Sequence, residues 1–313
     1  LNNKNHGINN FQNLRFGGVL IIIFLSMSFL NSSSVNFYLS DDKNIIYLVT
    51  MISIISLGFI DDILGGVHYL LKFNILFFSI FILILINNEF IFKVTSFEMI
   101  NSFLSFKVFA IFLTVIIISG FINASNISDG ANGILSGISF IIFLLLYQET
   151  NNLLFFDIFK ILLIFFLYNT VFSKIILGDT GSYFLGFLIS TVCIYFYNNL
   201  TFSAGILGSI LIYPCLEIIV SITRRLIKKQ NPLKPDNKHL HNLIFYFLKN
   251  NYTQKFSNSL TGIFIVLIFS IPSFLMYQII GKSFSYFYWL IFFTQCIIYI
   301  SIYVYLNDKK YEE

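Results

Sequence analysis

Long apolar blocks broken by short polar clusters run through the whole chain. "YLVTMISIISLGFI" (47–60) and "YFYWLIFFTQCIIYISIYVYL" (286–306) are two of them. Blocks approaching about twenty residues match the hydrocarbon thickness of a bilayer crossed by an α-helix. The pattern predicts ten spans: 19–38, 44–60, 69–86, 108–122, 133–147, 158–172, 183–197, 202–222, 260–280 and 284–305. The expected fold is all-α, a polytopic membrane bundle of about ten helices. It forms a single integral-membrane domain over residues 1–313, with loops at 61–68, 123–132, 173–182 and 223–259 on one side.

Composition agrees. The chain is 57% hydrophobic and 11% charged, too little charge for the surface of a soluble domain of 313 residues. Charge placement then orients it. Of the 19 Lys and Arg, Lys43, Lys93, Lys107, Lys160 and Lys282 fall on one side of the alternating topology, and all the others fall on the side of the N-terminus. Positive residues concentrate on the cytoplasmic side, so the four loops named above are predicted to face the cytosol.

The polar clusters gather on that same side. "DD" at 61–62, "NASNISDGANG" at 123–133, "LGDTGS" at 177–182 and "RRLIKKQNPLKPDNKHLHN" at 224–242 all map to it. One-sided acids, amides, glycines and bases suggest an active site at a membrane surface. A pore would carry its polar residues at mid-depth.

Asp61 and Asp62 read either as solvated loop acids or as a pair awaiting a cation. Asn123, Asn126 and Asp129 recur every three residues and share a helix face if the helix continues. Their oxygens suit a hard cation such as Mg²⁺, or they cap the helix and loop. Gly130 and Gly133 allow a tight turn after them. Asp179 lies between Gly178 and the run Thr180-Gly181-Ser182, just before a helix. Glycine-rich turns there present backbone N–H groups to phosphate, and an acid among them fits best as a Mg²⁺ ligand, with an N-terminal cap as the other reading.

The basic loop after Arg224 and Arg225 is suited to anionic headgroups or to a bound diphosphate. His239 and His241 are two of four histidines. Without further nitrogen or sulfur ligands nearby they suit hydrogen bonding to a diphosphate, or proton relay, better than zinc. Glu217 is expected to pair with Arg224 or Arg225, and Pro214 and Pro272 to kink their helices. Cys193, Cys215 and Cys296 lie in apolar runs and read as packing residues. Acids that need a metal, glycines for phosphate and bases for anions point together to phosphoryl transfer.

These motifs resemble the polyprenyl-phosphate N-acetylhexosamine-1-phosphate transferases, within glycosyl transferase family 4, relatives of the phospho-N-acetylmuramoyl-pentapeptide transferase. The resemblance runs from about Asn5 to Leu243. It rests on "RFGG" (15–18), "GFIDD" (58–62), "NASNISDGANG" (123–133), "YNTVFSKIILGDTGSYFLGF" (168–187) and "PDNKHLHNLI" (235–244). It implies transfer of a sugar-1-phosphate from a UDP-sugar to undecaprenyl phosphate with release of UMP, in the bacterial inner membrane, beginning a lipid-linked surface glycan such as O-antigen. Mg²⁺ is the implied cofactor, with Mn²⁺ as a substitute.

Carried residue by residue, the resemblance puts Asp61, Asp62 and Asp129 among the reacting acids and His239 and His241 at the diphosphate. Asp179 and Asn126 would hold the metal. Asn123, Lys174, Gly178, Gly181, Ser182, Arg224 and Arg225 would contact substrate. Partners are then a UDP-sugar, a polyprenyl phosphate lipid and the bilayer, with a homodimer common among relatives and no nucleic acid. Three positions depart from the family pattern. Asn242 stands where some relatives have a third histidine, Ile176 where an aromatic is common, and Leu64 where a base is frequent. The chain starts at Leu1 and lacks the span that usually precedes "RFGG", which suggests a truncated N-terminus. A catalytically silent relative and a lipid or anion transporter are the alternatives, and the transporter reading would require inverted repeats and charged mid-span residues.

Overall fold

The computed structural model describes residues 14–31, 41–95, 98–231 and 237–308. It is helical throughout. In order come α1 (Gly17–Asn31), α2 (Asp41–Leu64), α3 (Tyr69–Ile86), α4 (Glu98–Leu104), α5 (Lys107–Ser128), α6 (Ile134–Thr150) and α7 (Leu153–Phe172). Then follow α8 (Gly178–Asn198), α9 (Ala204–Ile210), α10 (Ile212–Ile227), α11 (Leu240–Lys249), α12 (Gln254–Phe269), α13 (Ile271–Ile280) and α14 (Ser285–Asp308).

Each predicted span falls on one of these helices or on a pair, with 32–38 of the first outside the described residues, and the count of ten is not confirmed. Seven segments among the described residues are long and apolar enough to cross a membrane, and eight if α9 and α10 form one bent span. The described part of α1, Gly17–Met27, is apolar but short, and α6, at 17 residues, is slightly short. A proline stands just after each of two helix breaks, only the first of them sharply bent. α9 meets α10 at 72°, with Pro214 in the first turn of α10, and α12 passes into α13 at Ser270, with Pro272 in the first turn of α13. A first-turn proline costs no intrahelical hydrogen bond, so a helix restarts readily there.

α8 is the axis of the bundle. Of its membrane-length window 89% is buried, against 17% for α14. α2, α5 and α1 pack around it. One apolar core joins α8 to α6, α7 and the helices from α9 onward, and a second joins it to α2, α3 and α5. Large apolar side chains on the outer helices, such as Phe78 on α3, Ile164 on α7 and Ile297 on α14, stay exposed, as expected of surfaces solvated by lipid. The chain thus brings the C-terminal ends of α2, α5 and α10 and the N-terminal ends of α3 and α8 to one side, where the polar clusters lie.

Candidate active site

The paired acids of α2 part company. Asp61 is 2% exposed, and its carboxylate accepts from Lys72 Nζ and from Val67 N. Lys72, in the first turn of α3, also lies 3.7 Å from Asp179. One ammonium therefore ties two acids together.

Asp62 is turned toward the start of α8. Its Oδ1 accepts from Asp179 N (3.0 Å), and its Oδ2 accepts from Thr180 N (2.9 Å) and Thr180 Oγ1 (2.7 Å). An acid at this end complements the unpaired N–H groups and the positive pole of the helix. The cap thus comes from another helix, and Asp179, offered above as a possible cap, is the residue whose N–H is capped. The same bonds engage the N–H groups of residues 179 and 180, which the glycine-rich turn was expected to offer to phosphate. Gly178 adopts φ +75°, and a Cβ there would sit 2.8 Å from Asp62 Oδ2, so this turn requires glycine.

The "RFGG" segment braces the same turn. Gly17 N and Gly18 N donate to Ile176 O and Leu177 O, and Ile176 N donates to Leu14 O. A Cβ on Gly18 would meet Gly181 N at 2.2 Å, so the glycines at 18 and 181 let α1 touch α8. Arg15 is brought to 4.0 Å from Asp62.

Asn123 and Asn126 lie on the last turns of α5, which runs through Ser128, and Asp129 is the residue at its C-terminal end. Asn123 donates to Ser119 O, one turn back. The Asn126 Nδ2 is buried with no acceptor in the structure. Burial, followed by the charges of Asp179 and Asp62, pushes the Asp129 carboxyl well above the usual carboxylate range. Gly133 takes φ +90° at the start of α6, completing the expected turn.

The histidines are anchored from beneath. Glu217 on α10, 1% exposed, accepts from His239 Nδ1 (3.0 Å), Leu240 N (2.9 Å) and Tyr213 OH (2.8 Å). The expected pairing of Glu217 with Arg224 or Arg225 is corrected by these contacts. Arg224 instead reaches Lys238 O and Tyr303 OH, two helical turns further along α10 than Glu217. His241 Nδ1 lies 3.1 Å from Tyr213 OH, and its Nε2 lies so close to Gly130 that a Cβ there would fall 2.0 Å away. The turn after Asp129 and the histidine pair are therefore in contact. Burial draws His241 down to about 4, so it is neutral near pH 7.

Three more candidates lie at the same end. Ser182 is 1% exposed, donates to Asp179 O and is closed off from solvent, Gly181 is packed against Leu177, and the Lys174 side chain is exposed. Lys72, Glu217 and Tyr213 are the residues that sequence reasoning passed over or misplaced. Lys72 carried a signal, a base in the first turn after the acidic loop.

A hard cation fits the donor set. Lys72 joins Asp61 and Asp179, the charges of Asp62 and Asp179 act on Asp129, and the orphaned amide of Asn126 lies one turn from Asp129. Among the described residues no three acids, histidines or cysteines converge as a ready-made cage. Mg²⁺ needs none, since it commonly takes one or two carboxylates and completes its shell with water and phosphate oxygens.

Known proteins share this framework. The family model described as glycosyl transferase family 4 matches residues 44–197. An undecaprenyl-phosphate alpha-N-acetylglucosaminyl 1-phosphate transferase of Thermotoga maritima is 31% identical over 194 residues, 62% of this chain and 58% of that protein. A phospho-N-acetylmuramoyl-pentapeptide-transferase of Prochlorococcus marinus is 28% identical over 228 residues, covering 66% and 61%. Another, from Staphylococcus carnosus, is 33% identical over 128 residues, covering 36% and 39%. The chain thus spans about six-tenths or less of the length of these curated relatives. The match takes in the acids of α2, the amides of α5 and α8 as far as Tyr197, and over this segment the chain is similar to glycosyl transferase family 4.

Proposed function

We propose that this protein transfers an N-acetylhexosamine-1-phosphate from a UDP-sugar to undecaprenyl phosphate, releasing UMP, at the cytoplasmic face of a bacterial inner membrane. The product would begin a lipid-linked cell-envelope glycan. A single observation carries the reading: Asp61, Lys72 and Asp179, from three helices, meet at one end of the bundle. The curated relatives named above, whose names state such transfers to undecaprenyl phosphate or of a phospho-N-acetylmuramoyl-pentapeptide, support it.

In this reaction an oxygen of the lipid phosphate attacks the sugar-bearing phosphorus of the UDP-sugar, and the bond to UMP breaks. Both reactants are anions, so the site must first neutralise them. Asp179 and Asn126 would hold Mg²⁺, which when bound supplies that neutralisation for the diphosphate. Lys72 holds Asp61 and Asp179 in register and adds a positive charge. Asp61 is placed to orient the lipid phosphate or to take its proton. A phosphate monoester is already largely ionised near neutral pH, so alignment contributes more than basicity. Asp62 works through the backbone of Asp179.

The test uses purified protein, undecaprenyl phosphate, Mg²⁺ and a panel of radiolabelled UDP-N-acetylhexosamines. Lipid-linked product is expected with one donor, lost on chelation and in Asp179→Asn. No turnover with any donor would reject the reading in favour of a silent relative.

A further inference from the structure

The first turns of α12 carry "SNSLTG" (257–262), and Ser257, Asn258, Ser259, Thr261 and Gly262 are all buried. Buried polar groups need partners. Asn258 and Ser259 find theirs in the turn between α5 and α6 that begins at Asp129. Asn132 N donates to Asn258 Oδ1 (2.9 Å), and Asn132 Nδ2 lies 3.5 Å from Ser259 Oγ. Gly262 permits the approach, since a Cβ there would fall 1.8 Å from Asn132 O.

The Asn132 side chain carries the contact onward to the segment that leads into α8. Its Nδ2 donates to Ser173 Oγ (2.9 Å), which lies 3.1 Å from Ser259 Oγ, and its Oδ1 accepts from Asn169 Nδ2 (3.4 Å). The same Asn169 amide donates to Ile175 O (2.6 Å), just ahead of the Gly178 turn. An amide NH₂ has two hydrogens, so this one side chain holds both segments. Asn132, Asn169 and Ser173 are buried, where a hydrogen bond is stronger than in water. We propose that Asn132, Asn169 and Gly262 are positioning residues whose joint fixes the turn bearing Asp129 against the turn bearing Asp179. α12, which lies outside the matched residues 44–197, thereby sets the spacing of the acids.

The chemistry makes that spacing matter. Asn126 and Asp129 come from the end of α5, and Asp179 from the start of α8. A Mg²⁺ ion held between the two elements demands near-ideal octahedral geometry, so a shifted turn weakens it. The joint acts through the backbone it holds. This consequence rests on the metal site and transfer reaction proposed above, whereas the joint itself does not.

Hydrogen–deuterium exchange mass spectrometry of the full chain in lipid nanodiscs reads the joint without substrate. Asn169→Leu, on α7, should speed exchange in 130–134 and in 175–180 together. Gly262→Ala, on α12, should do the same; Asn169→Leu adds no bulk and keeps the test if Gly262→Ala fails to fold. Ile265→Ala truncates a buried core residue of the same helix and serves as the control for lost stability. Mn²⁺ alone, titrated by EPR, then reads the spacing. Its affinity should fall on the order of 10- to 100-fold in Asn169→Leu and Gly262→Ala, the usual cost of losing an outer-shell partner, with kcat for transfer falling alongside. Both should stay near wild type in Ile265→Ala. Exchange that rises only beside the substituted residue overturns the joint. Mn²⁺ affinity and kcat that drop equally in Ile265→Ala overturn the positioning role. A wild type that neither binds Mn²⁺ nor turns over rejects the transfer reading, and exchange still decides the joint.

Discussion

Asp62 holds Asp179 by the backbone, not by the side chain: its carboxylate takes the N–H of residue 179 and both donors of Thr180, from a helix 117 residues away in sequence. This leaves the Asp179 side chain available for other work while fixing where it starts.

Removing that cap should be measurable. Asp62→Ala should destabilise the protein by about 1–2 kcal/mol, the usual cost of a lost N-cap. Asp62→Asn, which keeps one acceptor oxygen, should lose less. Thermal unfolding in detergent measures both, and an Asp62→Ala variant as stable as wild type would contradict the cap.

Lys72 is the partner of a deeply buried acid. Lys72→Met strands Asp61, which is 2% exposed. Breaking a buried pair by removing one member costs on the order of 3–5 kcal/mol, mostly because a buried charge is left uncompensated. Adding Asp61→Asn should restore most of that loss. A double-mutant cycle showing simple additivity would count against the pairing.

The acidity of His241 predicts a pH profile for stability. The folded value is lowered from 6.5 to about 4, so between those limits the unfolded chain binds more protons than the folded one. Its contribution is complete above pH 6.5 and falls as pH drops toward 4. His241→Gln should flatten that part of the curve, observed as unfolding midpoint against pH.

Asp129 has the opposite sign. Its folded-state value lies well above 3.8, because burial and then the charges of Asp179 and Asp62 disfavour ionisation. The folded protein therefore loses stability as pH rises past 3.8, toward the higher folded value. Metal-free Asp129→Asn should melt higher than wild type at pH 8 while losing transfer activity. A lower melting point would show that Asp129 is held ionised by a partner.

Gly130 gives a steric test. Gly130→Ala would place a methyl 2.0 Å from His241 Nε2, so the ring or the turn must shift. Forcing an extra methyl into packed surroundings costs about 1–3 kcal/mol. The altered turn should also reduce transfer; wild-type rates in this variant would separate the histidines from the site.

The helices and their alternation were legible because hydropathy acts residue by residue, and a bilayer imposes one length on all of them. The gathering of acids, amides and histidines at one end followed from the same alternation. Individual partnerships were not legible. Glu217 and Arg224 share α10 but lie two turns apart, and the carboxylate meets His239, which arrives from the loop beyond. Asp61 and Asp62 look equivalent as adjacent letters, but successive helix positions point about 100° apart, so one faces Lys72 and the other α8. The count of ten spans is not confirmed: among the described residues α1 and α6 are short for a crossing, and a hydropathy window cannot see that α9 and α10 meet at 72°.

The enclosure of α8 also shapes how this sequence can drift. A residue on α14 has mostly acyl chains for neighbours, and one aliphatic group there replaces another at little cost. On α8 nearly every side chain is wedged between other helices, and its first turn is fixed by contacts from both α1 and α2. Tolerance to substitution should therefore fall steadily from the rim of the bundle to this shaft, and changes in donor preference should arise in the surrounding turns before they arise on α8 itself.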